Sequence, residues 1–100
     1  MRMHPDELAE IRAAVREHYG DGVTVRLFGS RLDDGARGGD IDLFIDDFSG
    51  DADDALRRKL ALLLSLKERL GDQRIDVVVA RRSGPVLPVH RVARRDGALL

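Results

Sequence analysis

The segment that decides the fold runs from Leu27 to Ile45 and reads LFGSRLDDGARGGDIDLFI. It begins at the end of an apolar run and passes through residues 29–39, which include four glycines and little apolar content. Strand character returns from residue 40, where aspartate and apolar residues alternate. This pattern predicts a strand at residues 23–28, a loop or short helical turn, and a second strand at residues 40–45.

Two aspartates, Asp40 and Asp42, lie at the start of the second predicted strand. Residues two apart on a strand point to the same face, so these carboxylates project together while Ile41 and Leu43 point into the core. Two carboxylates on one face repel unless a cation lies between them. Mg²⁺ is the natural partner, because it prefers one or two carboxylates together with phosphate oxygens and water.

A third carboxylate, Asp76, lies in a valine-rich segment that predicts a strand at residues 75–80. Ile75 and Val77 define the buried face of this strand, so Asp76 points to the opposite one. If the strand lies beside the one that carries Asp40 and Asp42, the three carboxylates converge. Three carboxylates can hold two divalent ions about 3.5–4 Å apart.

Gly29 and Ser30 stand at the end of the first predicted strand. A residue without Cβ lets a phosphate group approach the backbone closely. The amide and hydroxyl of Ser30 can donate to phosphate oxygens, and a helical turn that starts here would aim its free N–H groups the same way. Arg31 follows directly and adds positive charge. These residues predict a site for a nucleoside triphosphate.

The remaining segments predict an α+β fold (α/β in the wider sense), a mixed sheet of three to four strands packed with helices. Gly71 ends the strongest helix signal, and residues 46–51 before that helix predict a turn. The other predicted elements are helices at residues 5–19, 52–70 and 89–96 and an edge strand at residues 98–100. The length of 100 residues predicts one domain over residues 1–100.

The predicted helix at residues 52–70 is rich in leucine. Helical spacing indicates one buried stripe, made of Leu56, Leu60, Leu63, Leu66 and Leu70. Leu62 and Leu64 fall outside this stripe. They either widen the core face or, if both are exposed, form a surface for a partner.

The composition excludes several classes of function. No cysteine is present, so disulfides and thiolate metal sites are excluded. Aromatic residues make up only 4%, which argues against stacking platforms for nucleic acid. The N-terminus does not resemble a signal peptide and no apolar run is long enough to span a membrane, so we expect a cytoplasmic protein without membrane contact.

The net charge of −1 is unevenly distributed. Residues 81–100 contain five arginines and one acid, which indicates either a surface for phosphate or a partner, or simply a solvated helix face. The histidines show no metal-ligand spacing and are expected at the surface. Asp46, Asp47 and the acids that follow them to residue 54 are expected in turns and helix caps.

Gly-Ser at a strand end, nine residues before Asp-x-Asp, with a third aspartate on a later strand, is a specific combination. In these motifs the chain resembles the minimal nucleotidyltransferases of the DNA polymerase β superfamily, and the resemblance covers almost the whole chain. It implies that Gly29 and Ser30, with Arg31 nearby, bind the triphosphate of ATP. It also implies that Asp40, Asp42 and Asp76 are catalytic and hold two Mg²⁺ ions when nucleotide is bound.

The resemblance also implies a function and a partner. Small members of this superfamily are usually encoded beside a HEPN-domain protein and act as its antitoxin, in some cases by transferring AMP from ATP to a tyrosine hydroxyl of the toxin. The alternative is a catalytically silent antitoxin that neutralises its partner by binding. A homo-oligomer is compatible with either function, and direct nucleic-acid binding is not expected. The spacer here carries Asp33 and Asp34 where many relatives have small or basic residues.

Overall fold

The computed structural model describes residues 4–29, 41–71 and 73–100. Within these ranges the fold is α+β, with three helices and one four-stranded mixed sheet, as predicted. This arrangement is consistent with a polymerase β-like core. The elements in chain order are α1 (Pro5–Tyr19), β1 (Thr24–Phe28), β2 (Ile41–Phe48), α2 (Ala52–Leu70), β3 (Ile75–Arg81), α3 (Pro88–Asp96) and β4 (Ala98–Leu99).

The strand order in the sheet is β3-β2-β1-β4. β1 runs antiparallel to β2 and to β4, whereas β2 and β3 are parallel. Helix α2 makes the connection between β2 and β3, as parallel neighbours require a long crossover. The predicted edge strand at the C-terminus is therefore confirmed, and β3 lies beside β2, the arrangement that the sequence analysis had left open.

The ends of the two long helices follow from local sequence. The side chain of His4 accepts a hydrogen bond from the amide of Asp6 and caps α1, and Asp51 accepts from the amide of Asp54 and caps α2. Gly20 and Gly71 end the two helices with positive φ angles of 74° and 79°, which suit a residue without Cβ. The predicted bounds of both helices are confirmed.

The helices cover both faces of the sheet. α1 and α2 pack on one face, where Ile41, Leu43 and Ile45 of β2 are fully buried. α3 packs on the other face, against Phe44. Side chains of β2 alternate between the two layers, as the period of a strand requires.

β2 is longer than predicted, because residues 46–48 continue the strand instead of forming a turn. The pairing with β3 shifts register between Ile45 and Phe48, and Asp47 has a φ of 65°. One extra residue in the strand therefore returns Phe48 to the same face as Ile45, where it packs edge-on against Tyr19 with ring centroids 5.2 Å apart. The prediction of a turn at residues 46–51 is therefore wrong for Asp46, Asp47 and Phe48, because the bulge lets the strand continue through them.

The predicted stripe of α2 is confirmed for the buried Leu66 and for Leu63 and Leu70, which pack partly buried against the core, but it is wrong for Leu56 and Leu60. Ala55, Leu62 and Leu66 are buried, whereas Leu56 and Leu60 are each 56% exposed. The leucines of this helix span an arc of about 200° around its axis, which is wider than the buried face, so their spacing alone does not select the core side. The inward side of α2 is also marked by contacts to α1, where Arg58 donates a hydrogen bond to the carbonyl of His18 and Arg69 forms ion pairs with Glu10 and Glu17.

No helix among the described residues has the length and apolar composition needed to cross a membrane.

Candidate metal and nucleotide site

The start of β2 and the start of β3 bring two predicted ligands together. Asp42 pairs directly with Asp76 in the parallel ladder. Neighbouring strands lie about 4.8 Å apart, and paired residues point to the same face, so both carboxylates can approach one cation. Asp42 is half-buried and Asp76 is exposed, which leaves the pair accessible to a ligand.

The end of β1 lies on the other side of β2 and forms a row with the starts of β2 and β3. Phe28 pairs with Asp42 on the other side of β2, and Gly29 follows with a φ of 81°. A Cβ added at Gly29 would collide with the carboxylate of Asp42 and would lie only 3.0 Å from its Cγ. The backbone at Gly29 therefore lies directly against the Asp42 carboxylate, a close approach that only glycine permits.

The other predicted site residues, Ser30, Arg31 and Asp40, lie outside the described residues. Asp40 is two positions from Asp42 in the sequence. No group of three potential metal ligands occurs among the residues that the structure describes. Asp42 and Asp76 are two of the three predicted ligands, and they are the two that belong to neighbouring strands.

Helix α3 closes the same face farther along the strands. Phe44 lies two residues beyond Asp42 and is fully buried together with Ala93 of α3. Among the described residues, α3 packs on this face at Phe44, and Asp76 beyond it is exposed. The fold thus presents the pair beside a packed helix and next to Gly29.

An ion pair between the exposed Arg94 of α3 and the buried Asp46 of β2 links α3 to the sheet. Arg94 donates two hydrogen bonds to Asp46, of 2.9 and 2.8 Å, and Arg26 of β1 lies 3.5 Å from the same carboxylate. The hydrogen bond from Arg94 holds the pKa of Asp46 below its usual value of 3.8, against the opposing effect of burial. Asp46 was expected in a turn or cap, and that expectation is wrong because the strand extends through it.

The sequence feature that could have predicted the position of Asp46 is its spacing from Asp42 along the strand. Asp46 lies four residues after Asp42, and positions two and four apart share a face until a bulge intervenes. A longer predicted strand would have placed it on the α3 side of the sheet.

His90 is buried, contrary to the expectation of a surface position. Its exposed fraction is 4%, and its ring lies 5.6 Å from that of Phe44. Its Nδ1 accepts a hydrogen bond of 3.1 Å from the backbone amide of Leu87, at the start of α3. Burial lowers the pKa of His90, with a further contribution from the positive charge of Arg94. His90 is therefore a structural residue of the α3 interface.

Three arginines of the C-terminal segment form ion pairs with nearby aspartates. Arg82 forms a two-point ion pair with Asp47, at 2.8 and 3.2 Å, and Arg94 pairs with Asp46 as described. Arg95 pairs with its neighbour Asp96 at 3.0 Å. These contacts favour the interpretation that much of the basic C-terminal charge stabilises the fold and the surface of α3.

A cavity of about 340 Å³ lies between the C-terminal half of α1 and the β1–β4 edge, with Arg12, Thr24 and Leu99 among its lining residues. It does not contain Gly29, Asp42 or Asp76.

No protein-family model matches this chain, and no curated protein matches it in sequence.

Proposed function

We propose that this protein is a Mg²⁺-dependent nucleotidyltransferase that transfers a nucleoside monophosphate, AMP from ATP, to a hydroxyl group of a partner protein. The observation that carries the proposal is the row at the strand ends, where Asp42 pairs with Asp76 and Gly29 lies against the Asp42 carboxylate. Three separate segments of the chain contribute to this row.

The residues present fit Mg²⁺. Asp42 and Asp76 share a face and can act as hard oxygen ligands, with Asp40 as the third carboxylate of the site. When bound with nucleotide, two Mg²⁺ ions would neutralise the triphosphate and the departing pyrophosphate.

The side chains and backbone of the chain have distinct tasks in this proposal. Gly29, without Cβ, lets the triphosphate approach, and Ser30 donates hydrogen bonds to phosphate oxygens. Arg31 adds positive charge beside the phosphates. Asp76 accepts the proton of the acceptor hydroxyl as the new oxygen–phosphorus bond forms at the α-phosphate and the bond to pyrophosphate breaks. Positioning and charge account for most catalysis in reactions of this type.

The partner proposed for the reaction is a HEPN-domain protein, on the basis of the sequence resemblance described above. The protein would then act as an antitoxin that modifies its toxin. The motifs support this assignment through the family that they resemble.

The test is transfer of label from α-³²P-ATP, with Mg²⁺, to the protein encoded next to this one. We expect the rate of label transfer to fall by roughly 10²-fold or more in the Asp42→Asn variant, the Asp76→Asn variant and the Asp40→Ala/Asp42→Ala double variant. Each of these variants removes carboxylate charge at the reacting phosphate. Asp21→Asn is the matched control, since Asp21 is an exposed acid that precedes β1, at the opposite end of this strand from Gly29.

Melting curves of all variants establish that they are folded. If folded wild-type protein transfers no label, the enzymatic proposal fails. A folded Asp42→Asn variant that transfers nothing and still neutralises the partner would instead support the alternative, an antitoxin that acts by contact.

A further inference from the structure

The side of α2 that faces away from the core carries an apolar stripe. Leu56, Leu60 and Leu64 recur every four residues and are 56%, 56% and 67% exposed. The buried Leu62 marks the opposite side of the helix, since two residues correspond to a rotation of about 200°. A row of three exposed leucines on one helix is an apolar surface of the kind that a partner can cover.

The stripe has oppositely charged ends. Asp53 lies seven residues before Leu60 and Lys67 lies seven residues after it, and both are exposed. At about 100° per residue, each lies within about 20° of the direction of Leu60. We call Asp53, Leu56, Leu60, Leu64 and Lys67 together the α2 stripe. Its order is acid, three leucines, base.

We propose that the α2 stripe is the interface of a homodimer in which two copies of α2 pack antiparallel around a two-fold axis at Leu60. In this arrangement Leu60 meets the partner's Leu60 and Leu56 meets the partner's Leu64. Asp53 then faces the partner's Lys67 at both ends of the interface. An interface of this kind is self-complementary, as two-fold symmetry requires, and antiparallel helices pack with such seams.

The charges select a second copy in this orientation. A parallel pair would place Asp53 beside the partner's Asp53 and Lys67 beside the partner's Lys67, which is unfavourable. The antiparallel pair converts both contacts into attractive ones without any further residue. The seven-residue spacing on both sides of Leu60 is what makes the match symmetrical.

The dimer leaves the carboxylate pair open. α2 packs on the sheet face that contains Ile41 and Leu43, whereas Asp42 and Asp76 are in the opposite phase of their strands. Self-association through the α2 stripe therefore does not cover the candidate site, and the inference does not depend on the proposed function.

Sedimentation velocity of the full chain, from about 1 µM to about 1 mM, tests the dimer directly. We expect the mass to rise from one chain to two as concentration increases. Leu60→Glu places two like charges on the symmetry axis and is expected to weaken association by roughly 100-fold or more. Val92→Glu is the matched control, because Val92 is 45% exposed on α3, and it should associate like wild type.

A charge-exchange set identifies the partner as a second copy. Asp53→Lys and Lys67→Asp should each weaken association by about 10-fold, since each turns two attractive contacts into repulsive ones. The double variant should return to within about threefold of wild type. An equimolar mixture of the two single variants should form a mixed dimer, in which both end contacts are again attractive.

The control for the single variants is Asp6→Lys, which makes the same charge change in the first turn of α1 and should leave association unchanged. Melting curves verify that each variant is folded. A wild-type chain that stays monomeric over the whole range overturns the proposal. It is also overturned if Leu60→Glu and Val92→Glu behave alike, or if neither the double variant nor the mixture recovers association.

Discussion

The identity of residue 29 is constrained by two independent features of the backbone. Its φ of 81° lies in the region that residues with a Cβ avoid at a cost of about 1–2 kcal/mol. Its Cα also faces the carboxylate of Asp42, so that a Cβ would displace this side chain. The second feature couples the backbone of β1 to the position of a candidate metal ligand.

Gly29→Ala is therefore expected to have two separate effects. We expect a loss of roughly 1–3 kcal/mol in the free energy of unfolding, measured by urea titration. We also expect weaker binding of Mg²⁺-ATP, measured by calorimetry, because Asp42 must move.

Gly71→Ala is the control for the backbone effect alone. Gly71 has a similar φ of 79°, and nothing lies within 4 Å of a Cβ added there. It should lose stability and keep its nucleotide affinity. Equal nucleotide affinity in Gly29→Ala and Gly71→Ala would contradict the coupling to Asp42.

At the scale of the element, α3 is held to the sheet by a histidine that must remain neutral. Nδ1 of His90 accepts from the amide of Leu87, so the proton of the neutral ring is on Nε2. Protonation of Nδ1 would break this hydrogen bond and place a charge in a buried position. Burial accordingly lowers the pKa of His90 from its usual value of 6.5.

The sign of the pH dependence follows from this lowered pKa. In the unfolded chain His90 takes up its proton as pH falls through 6.5, whereas in the folded chain it does so only at lower pH. The unfolded state therefore binds more protons in this window, and stability decreases as pH falls below 6.5. The full contribution of neutral His90 is present above that pH.

We expect the free energy of unfolding to decrease between about pH 7 and the folded pKa, with a slope of at most about 1.4 kcal/mol per pH unit from this residue. His90→Gln retains an acceptor for the amide of Leu87 and does not titrate. Urea unfolding at several pH values should show a smaller slope in this variant, whatever its stability at pH 7. His4→Gln, at an exposed cap, is the control, and an unchanged slope in His90→Gln would refute the assignment.

At the scale of the whole molecule, stability depends on which side of α2 meets the core. Leu62 of α2 is fully buried in the core, whereas Leu60, on the other side of the same helix, is 56% exposed. Leu62→Ala should lower the free energy of unfolding by about 2–5 kcal/mol, because it leaves a cavity in the single core of that layer. Leu60→Ala should change it by less than about 0.5 kcal/mol.

Both variants are compared by thermal and urea unfolding in dilute solution, so that association through α2 does not contribute. The two substitutions are chemically identical and lie two residues apart on one helix. A larger loss for Leu60→Ala than for Leu62→Ala would mean that the predicted stripe, and not the observed one, faces the core.

Local patterns predicted most of the elements and which sides of β2 and β3 are buried. Pro5 with its acidic neighbours predicted the start of α1, and Gly71 predicted the end of α2, because caps and helix ends depend on residues within one turn. The alternation at residues 41–45 predicted which side of β2 is buried. Strand phase also predicted that Asp42 and Asp76 oppose their buried neighbours.

The sequence by itself thus determined the order of the elements, the phase of the two aspartates on their strands, and a glycine at the end of β1. Only the tertiary structure decided that β3 lies beside β2 with Asp76 opposite Asp42, that Gly29 contacts the Asp42 carboxylate, and that Leu62 rather than Leu60 faces the core. It also decided that Asp46 and His90 are buried under α3. The physical reason is that helix and strand periods are local, whereas register, helix rotation and ion pairing depend on residues far apart in the chain.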